Sequence, residues 1–192
     1  MEFVTGPAVA QHNRRAVGTF ASGVAVVTTR DLEGIPLGMT ATSFTGVSFD
    51  PPTMLVCIKR SARTLDHLIA DSHFGVNILP ASATEIAAYC ATPGADKSVP
   101  DEWIDPNAPT AAPALRQSLA VIDCVVTETV DSGTHCIVLG TVVGIGLADH
   151  RRAAYPLLHY RGAFWHLNSP VVPTAVAPLP LVYDDQLTRE AH

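Results

Sequence analysis

Mainly β structure, wound into a small antiparallel barrel with a few accessory helices, is the fold class predicted by this sequence of 192 residues. Three observations carry the prediction. Runs rich in β-branched residues outnumber stretches of helical periodicity, most neighbouring runs are joined by hairpin-type turns, and no strand–helix–strand unit repeats. Nine of the fifteen prolines fall in two places, five within 93–113 and four within 170–180. Proline removes a backbone donor and biases its predecessor toward extended structure. Residues 91–114 therefore read as a long surface loop, and 168–192 as an extended tail beyond a single domain of residues 1–167.

Each element follows from its local pattern. Residues 8–20 suit a first helix, after which Gly23 introduces the β-prone run Val24-Ala25-Val26-Val27-Thr28-Thr29. The turn Asp31-Leu32-Glu33-Gly34 reverses it into a second strand, which leads to a bend near Ser43. Asp50-Pro51-Pro52 stops regular structure, and residues 53–59 then read as a continuously apolar, buried strand. Ser61-Ala62-Arg63-Thr64 opens a helix to about residue 70, residues 74–79 are a strand, and Ser82-Ala83-Thr84-Glu85 has the capping-box pattern of a helix reaching about residue 90. In 120–130 one face carries Ala120, Ile122, Cys124 and Val126 while Asp123, Thr127 and Thr129 form a solvated face. Residues 135–147 are apolar on both faces and call for cover on both sides, by a helix or a second subunit. Asp131-Ser132-Gly133 joins these two as a hairpin, and Arg161-Gly162 turns a last hairpin within 157–167.

Composition narrows the function. Only 16% of residues are charged, against about 25% in an ordinary soluble domain, which again implies a covered surface. Twelve Lys plus Arg face eighteen Asp plus Glu, a formal charge of −6, with no long basic run. Nucleic acid and anionic membranes are poor partners for such a chain. Cys57, Cys90, Cys124 and Cys136 lie far apart in apolar stretches, as reduced buried thiols do, and fit a cytoplasmic location. The N-terminus lacks the basic and apolar regions of a secretory signal, and the apolar stretch 136–148 is too short to span a bilayer.

Familiar catalytic signatures are missing from the pattern. Gly140, Gly144 and Gly146 have the wrong spacing for a dinucleotide fingerprint, and no phosphate-binding loop of the G-x-x-x-x-G-K type occurs. Gly46-Val47-Ser48-Phe49-Asp50 falls short of a nucleophile elbow, and the eight histidines show no metal-site spacing. Two clusters remain. Lys59-Arg60-Ser61-Ala62-Arg63-Thr64 gathers three cations and two hydroxyls where a strand gives way to a helix. It reads either as a phosphate site or as a capped helix start with solvated cations. Pro36-Leu37-Gly38-Met39-Thr40-Ala41-Thr42-Ser43-Phe44 crowds small and hydroxyl residues onto one strand. It reads either as a strand that a planar ligand approaches closely or as an edge strand with a bulge at Gly38.

Taken in order, these residues resemble a known family. Phe20-x-x-Gly23-Val24-x-Val26-Val27-Thr28-Thr29, Gly38-Met39-Thr40-Ala41-Thr42-Ser43-Phe44 and Ser48-x-Asp50-Pro51-Pro52 are similar to the flavin reductase-like family. Its members have the FMN-binding split-barrel fold, an antiparallel barrel of Greek-key type. Further matches are Arg63-Thr64, Phe74-Gly75-Val76-Asn77-Ile78-Leu79, Gly133-Thr134-His135 and Leu157-Leu158-His159-Tyr160-Arg161-Gly162, so the likeness spans about residues 14–167.

The resemblance implies a reductase that passes hydride from NADH or NADPH to FMN or FAD and supplies reduced flavin to a separate flavin-dependent monooxygenase. A homodimer would cover the doubly apolar strand. Pro36, Leu37, Gly38, Met39, Thr40, Thr42 and Ser43 would line the isoalloxazine and ribityl chain. Cys57, Ile58, Lys59, Arg63 and Thr64 would bind phosphate, and Tyr89 and Cys90 would close over the flavin. His135 would be the catalytic histidine at the mouth of the site, with Tyr155, Pro156, Leu157 and Leu158 on the NAD(P)H side. The family's usual Gly-Asp-His is Gly133-Thr134-His135 here, so no carboxylate precedes the histidine, and a Lys-Phe pair is incomplete at Lys97-Ser98. Hydride transfer is chemistry of the two nucleotides and needs no strong acid or base, consistent with a sequence that shows no triad. A non-catalytic flavin-binding or storage protein, and an oxidoreductase that retains FMN, are the alternatives on this fold.

Overall fold

The computed structural model describes residues 3–93, 96–148 and 155–167, and the expected tail 168–192 lies outside them. Along the chain come helix α1 (Val9–Val17), β1 (Ser22–Gly23), β2 (Ala25–Arg30), β3 (Pro36–Ala41), β4 (Phe44–Phe49), β5 (Pro52–Lys59), helix α2 (Arg63–Asp71) and β6 (His73–Ile78). Helix α3 (Thr84–Ala91), β7 (Ala120–Ser132), β8 (His135–Leu147), β9 (Leu157–Tyr160) and β10 (Ala163–His166) follow. Seven strands form one antiparallel sheet in the order β3-β2-β6-β7-β8-β5-β4, and β1-β9-β10 form a second, smaller one. The mainly β, antiparallel class with accessory helices is what the chain forms.

Closure of the barrel needs correction. No ladder joins β3 to β4 among the described residues, so the sheet is open. Its two edge strands are nevertheless consecutive in the chain, separated only by the corner Thr42-Ser43. There the Ser43 carbonyl accepts the Cys57 N–H at 2.9 Å, and the Ser43 hydroxyl donates to the Cys57 carbonyl at 2.9 Å. One continuous stretch thus pairs with β2 before the corner and with β5 after it, and its two halves cannot pair with each other.

Local turn chemistry explains the hairpins. The Asp31 carboxylate accepts the N–H groups of Glu33 and Ile35, at 2.9 and 2.8 Å, which turns β2 back into β3. Gly133 at φ +55°, and Arg161 with Gly162 at φ +50° and +80°, supply the left-handed residues that the two tight hairpins need. The helix starts differ from expectation. Ala62, not Ser61, is the N-cap of α2, and no side chain caps α3, where Thr84 Oγ1 donates back to the Ala81 carbonyl instead of closing a capping box.

Two apolar cores lie on opposite faces of β2, whose side chains alternate with period two. Ala25 and Val27 join Val56, Ile58, Phe74 and Val138 beneath Leu65 and Leu68 of α2. Val24 and Val26 join Leu79, Leu115 and Leu157 beneath Ile86, Ala87 and Cys90 of α3. β5 is not buried throughout as expected: its exposure alternates, with Val56 and Ile58 inside and Leu55 and Cys57 half-covered. β8 likewise buries one face, while Val143, Ile145 and Leu147 are 57%, 66% and 64% exposed on the other. Asp123, expected in solvent, is 4% exposed because its carboxylate accepts the N–H groups of Ala111 and Ala112 at 2.8 and 3.1 Å. With Asn77 accepting the Leu115 N–H at 2.8 Å, it pins the end of the proline-rich loop, so Val99, Ala112, Ala114 and Leu115 are core rather than surface.

Candidate functional site

The basic cluster and His135 come together at one end of the sheet. Lys59, the last residue of β5, pairs directly with His135, the first of β8, so both side chains project from the same face, with Cys57 and Ile137 behind them. Arg60 ties the cluster to the β7–β8 hairpin: its N–H donates to the Thr134 carbonyl at 3.0 Å, and its guanidinium lies 3.6 Å from Asp131 in an exposed ion pair. The Thr134 hydroxyl sits 2.9 Å from His135 Nδ1. A hydroxyl can either donate or accept, so Thr134 holds the ring in place without supplying a charge.

From this end α2 begins. Thr64, the second helical residue, is completely buried, and its Oγ1 has no hydrogen-bond partner among the described residues. A buried hydroxyl without a partner costs about 1–3 kcal/mol. It sits in the first turn of a helix that no side chain caps, directly after the cation Arg63. Backbone N–H groups, the positive end of the helix dipole and an unpaired hydroxyl together suit an anion such as a phosphate. Asp66 is the acid in that first turn, on the exposed side. The charge of Arg63 reaches Asp96, whose carboxyl is held below its ordinary value chiefly by bonds from Ser98.

The other expected residues divide. Gly38 and Thr40 face α3, where the Thr40 hydroxyl donates to the Ala87 carbonyl at 2.6 Å. A Cβ on Gly38 would meet Val99 Cγ2 at 2.7 Å and Cys90 Sγ at 3.3 Å, so that glycine admits protein, not a ligand, on this face. Residues 97–99 pair along the free edge of β3, with the Gly38 N–H donating to the Lys97 carbonyl at 2.8 Å and the Val99 N–H to Pro36 at 2.8 Å. Pro36 and Met39 are half-buried, and Thr42 and Ser43 are exposed at the corner. Tyr89 packs edge-on against Trp103 and donates its hydroxyl to the Ser98 carbonyl at 3.0 Å.

Leu37, Ile58, Cys90 and Leu157 are buried as whole residues, so none of them offers a surface to a ligand. Burial pushes the Cys90 thiol up to about 11, with Lys97 pulling it back, so it stays a neutral packing group. Tyr155 and Pro156 bracket Ala81 and Pro80 on the smaller sheet's side, Leu158 pairs with Gly23 and Trp165, and this group stands apart from His135 in the strand order. Sequence reasoning missed Thr134 as the partner of His135, although a hydroxyl beside a histidine was a visible signal. It also missed the pairing of Lys59 with His135, which depends on strand register.

The model of the flavin reductase like domain matches residues 17–168. The chain belongs to that family. It is 38% identical over 168 residues to an NADH:riboflavin 5'-phosphate oxidoreductase of Streptomyces pristinaespiralis, covering 87% of this chain and 93% of the relative. It is 36% identical over 129 residues to the stachydrine N-demethylase reductase subunit Stc3 of Rhizobium meliloti (strain 1021), covering 67% of this chain and 55% of the relative. The chain spans about half the length of several curated relatives it matches, 55%, 41% and 47% for three of them. Among solved structures, the NADH:FAD oxidoreductase SgcE6 of Streptomyces globisporus C-1027 superposes with a TM-score of 0.76 at 28% identity, covering 88% of this chain and 99% of that one.

Proposed function

We propose that this protein is an NAD(P)H:flavin oxidoreductase that reduces FMN or FAD and hands the reduced flavin to a separate flavin-dependent monooxygenase. Family membership supports the class, and the unpartnered Thr64 hydroxyl at the start of α2 is the observation that ties it to a flavin phosphate. Lys59, Arg63 and Thr64 hold that phosphate; the half-buried Pro36 and Met39 and the exposed Thr42 and Ser43 receive the ring and ribityl chain. Bound flavin and nicotinamide supply the hydride acceptor and donor. His135, steadied by Thr134 beside Lys59, orients the nicotinamide at the open side. Tyr155 and Leu158 flank the nucleotide from the smaller sheet.

Residues 1–167 work as one split-barrel unit, the corner Thr42-Ser43 standing where a closing ladder would be, and 168–192 form an extended segment. The uncovered apolar face of β8 suits a homodimer. The four free thiols, three of them buried, fit a reducing cytoplasm, and no helix among the described residues is long and apolar enough to cross a membrane.

A comparison of FMN with riboflavin tests the reading. Thr64→Val removes the unpaired hydroxyl at constant shape, so it leaves stability unchanged or raises it, while FMN affinity falls about tenfold, as for the loss of one charge-assisted hydrogen bond. Riboflavin, which lacks the phosphate, keeps its affinity. Equal affinity of the variant and the parent for FMN would remove the phosphate from α2.

A further inference from the structure

An open groove of about 1560 Å³ runs between α1, the corner Thr42-Ser43 and the β9–β10 hairpin. One wall is apolar. Val9, Ala16 and Val17 line it with the spacing of one helix face, and Phe3 before the helix and Phe20 after it extend the same wall. Yet α1 buries none of its own residues, and Phe3 and Phe20 are 85% and 75% exposed. A helix of nine residues is not held by its own propensity, so this apolar face calls for cover that the described residues do not supply.

The charge of the groove is one-sided. Arg14, Arg15 and Arg161 line it, and no Asp or Glu does so among the described residues, in a chain with eighteen acids and twelve Lys plus Arg. By contrast, the space beside the uncovered Ile145 and Leu147 of β8 is lined by Asp105 as well as Arg116. Arg14 and Arg15 occupy the last turn of α1, where cations complement the helix dipole, but that does not account for Arg161. The Arg161 N–H donates to the Gly18 carbonyl at 3.1 Å, which ties the hairpin to the end of α1.

The complementary pattern stands in the sequence that follows β10. Leu179-Pro180-Leu181-Val182-Tyr183 is apolar and is followed at once by Asp184-Asp185. The described structure ends at Leu167, one residue past β10, and β10 begins directly after Arg161-Gly162 on the groove. The five residues 163–167 lead away from the groove by about 17 Å, and the thirteen residues 168–180 span up to about 45 Å, so the chain reaches back to it.

We propose that residues 179–185 of this chain dock in its own groove. Leu181, Val182 and Tyr183 cover Phe20 and the apolar face of α1, and the carboxylates of Asp184 and Asp185 meet the guanidiniums of Arg14, Arg15 and Arg161. The docked segment borders the corner Thr42-Ser43 without replacing it, so docking is measured without flavin, nucleotide or turnover and does not depend on the proposed function.

Backbone ¹⁵N relaxation of the full chain, free of ligand, tests the contact. Amides of residues 181–185 are expected to have order parameters near the roughly 0.85 of rigid backbone, falling below about 0.6 in Asp184→Lys/Asp185→Lys, which alters no described residue. Arg14→Glu/Arg15→Glu frees the segment in the same way, and combining the two double variants restores its order, which an α1 that had merely unfolded would not do. Nuclear Overhauser contacts from the Tyr183 ring to Phe20 or Val17 arise within one chain in a mixture of differently labelled copies. Order parameters below about 0.6 in the parent overturn the proposal, as does order that survives either charge reversal or fails to return when the two are combined. Contacts found only between differently labelled copies overturn it in favour of a second copy as the occupant.

Discussion

Replacing Gly38 by alanine asks why the strand assigned to the flavin carries a glycine at all. The added Cβ would stand 2.7 Å from Val99 Cγ2, 3.1 Å from Val26 Cγ1 and 3.3 Å from Cys90 Sγ, and all three neighbours are buried. β3 has little room to retreat, because Gly38 pairs with Thr28 on one side while its N–H is held by the Lys97 carbonyl at 2.8 Å on the other. Overpacking of this kind costs about 1–3 kcal/mol. At roughly 2–4 °C per kcal/mol for a domain of this size, the Tm of Gly38→Ala falls by about 2–12 °C. Thermal unfolding followed by circular dichroism, without ligand, measures it. Combining Gly38→Ala with Val99→Ala, which removes the nearest clashing methyl, recovers part of the loss, with a coupling of about 0.5–3 kcal/mol. Flavin affinity of the folded variant stays within a fewfold of the parent. A variant as stable as the parent that has lost flavin would refute the reasoning and make Gly38 a ligand contact.

Two further predictions concern His135 and β8. His135→Ala lowers kcat/KM for the nicotinamide nucleotide about tenfold, or about 1.4 kcal/mol, while the flavin dissociation constant is unchanged; stopped-flow flavin reduction reads this, and an unaltered rate reduces His135 to a hairpin residue. Ile145→Glu puts a charge on the uncovered face of β8 and converts the proposed homodimer to a monomer by light scattering, because an unpaired carboxylate is costly to bury. A dimer indifferent to that charge would place the interface elsewhere.

Much of the fold was legible because its signals are local. Asp31 with Gly34, Gly133, and Arg161 with Gly162 mark their hairpins in the residues themselves, and the β-branched runs between them leave few options. What the sequence hid was non-local. Ser61 and Ser82 are good capping residues, yet sheet register and the packing of α2 and α3 start those helices at other positions. Asp123 alternates with apolar neighbours and so reads as solvated; its burial depends on two amides from the loop end at Ala111 and Ala112. Closure was misjudged because alternation indicates which face is inside but not whether the first and last strands of a sheet meet. At the site, the cation cluster and His135 were each visible, whereas their meeting through the Lys59–His135 pair depends on a register that only the folded sheet defines.

Catalytic protein mixed with NADH or NADPH and an excess of free FMN or FAD tests the central claim most directly. Followed by nucleotide absorbance without oxygenase present, the mixture is expected to show many turnovers of nucleotide oxidation per protein chain, dependent on added flavin. No flavin-dependent oxidation of either nucleotide, from a protein that nevertheless binds flavin, would contradict it.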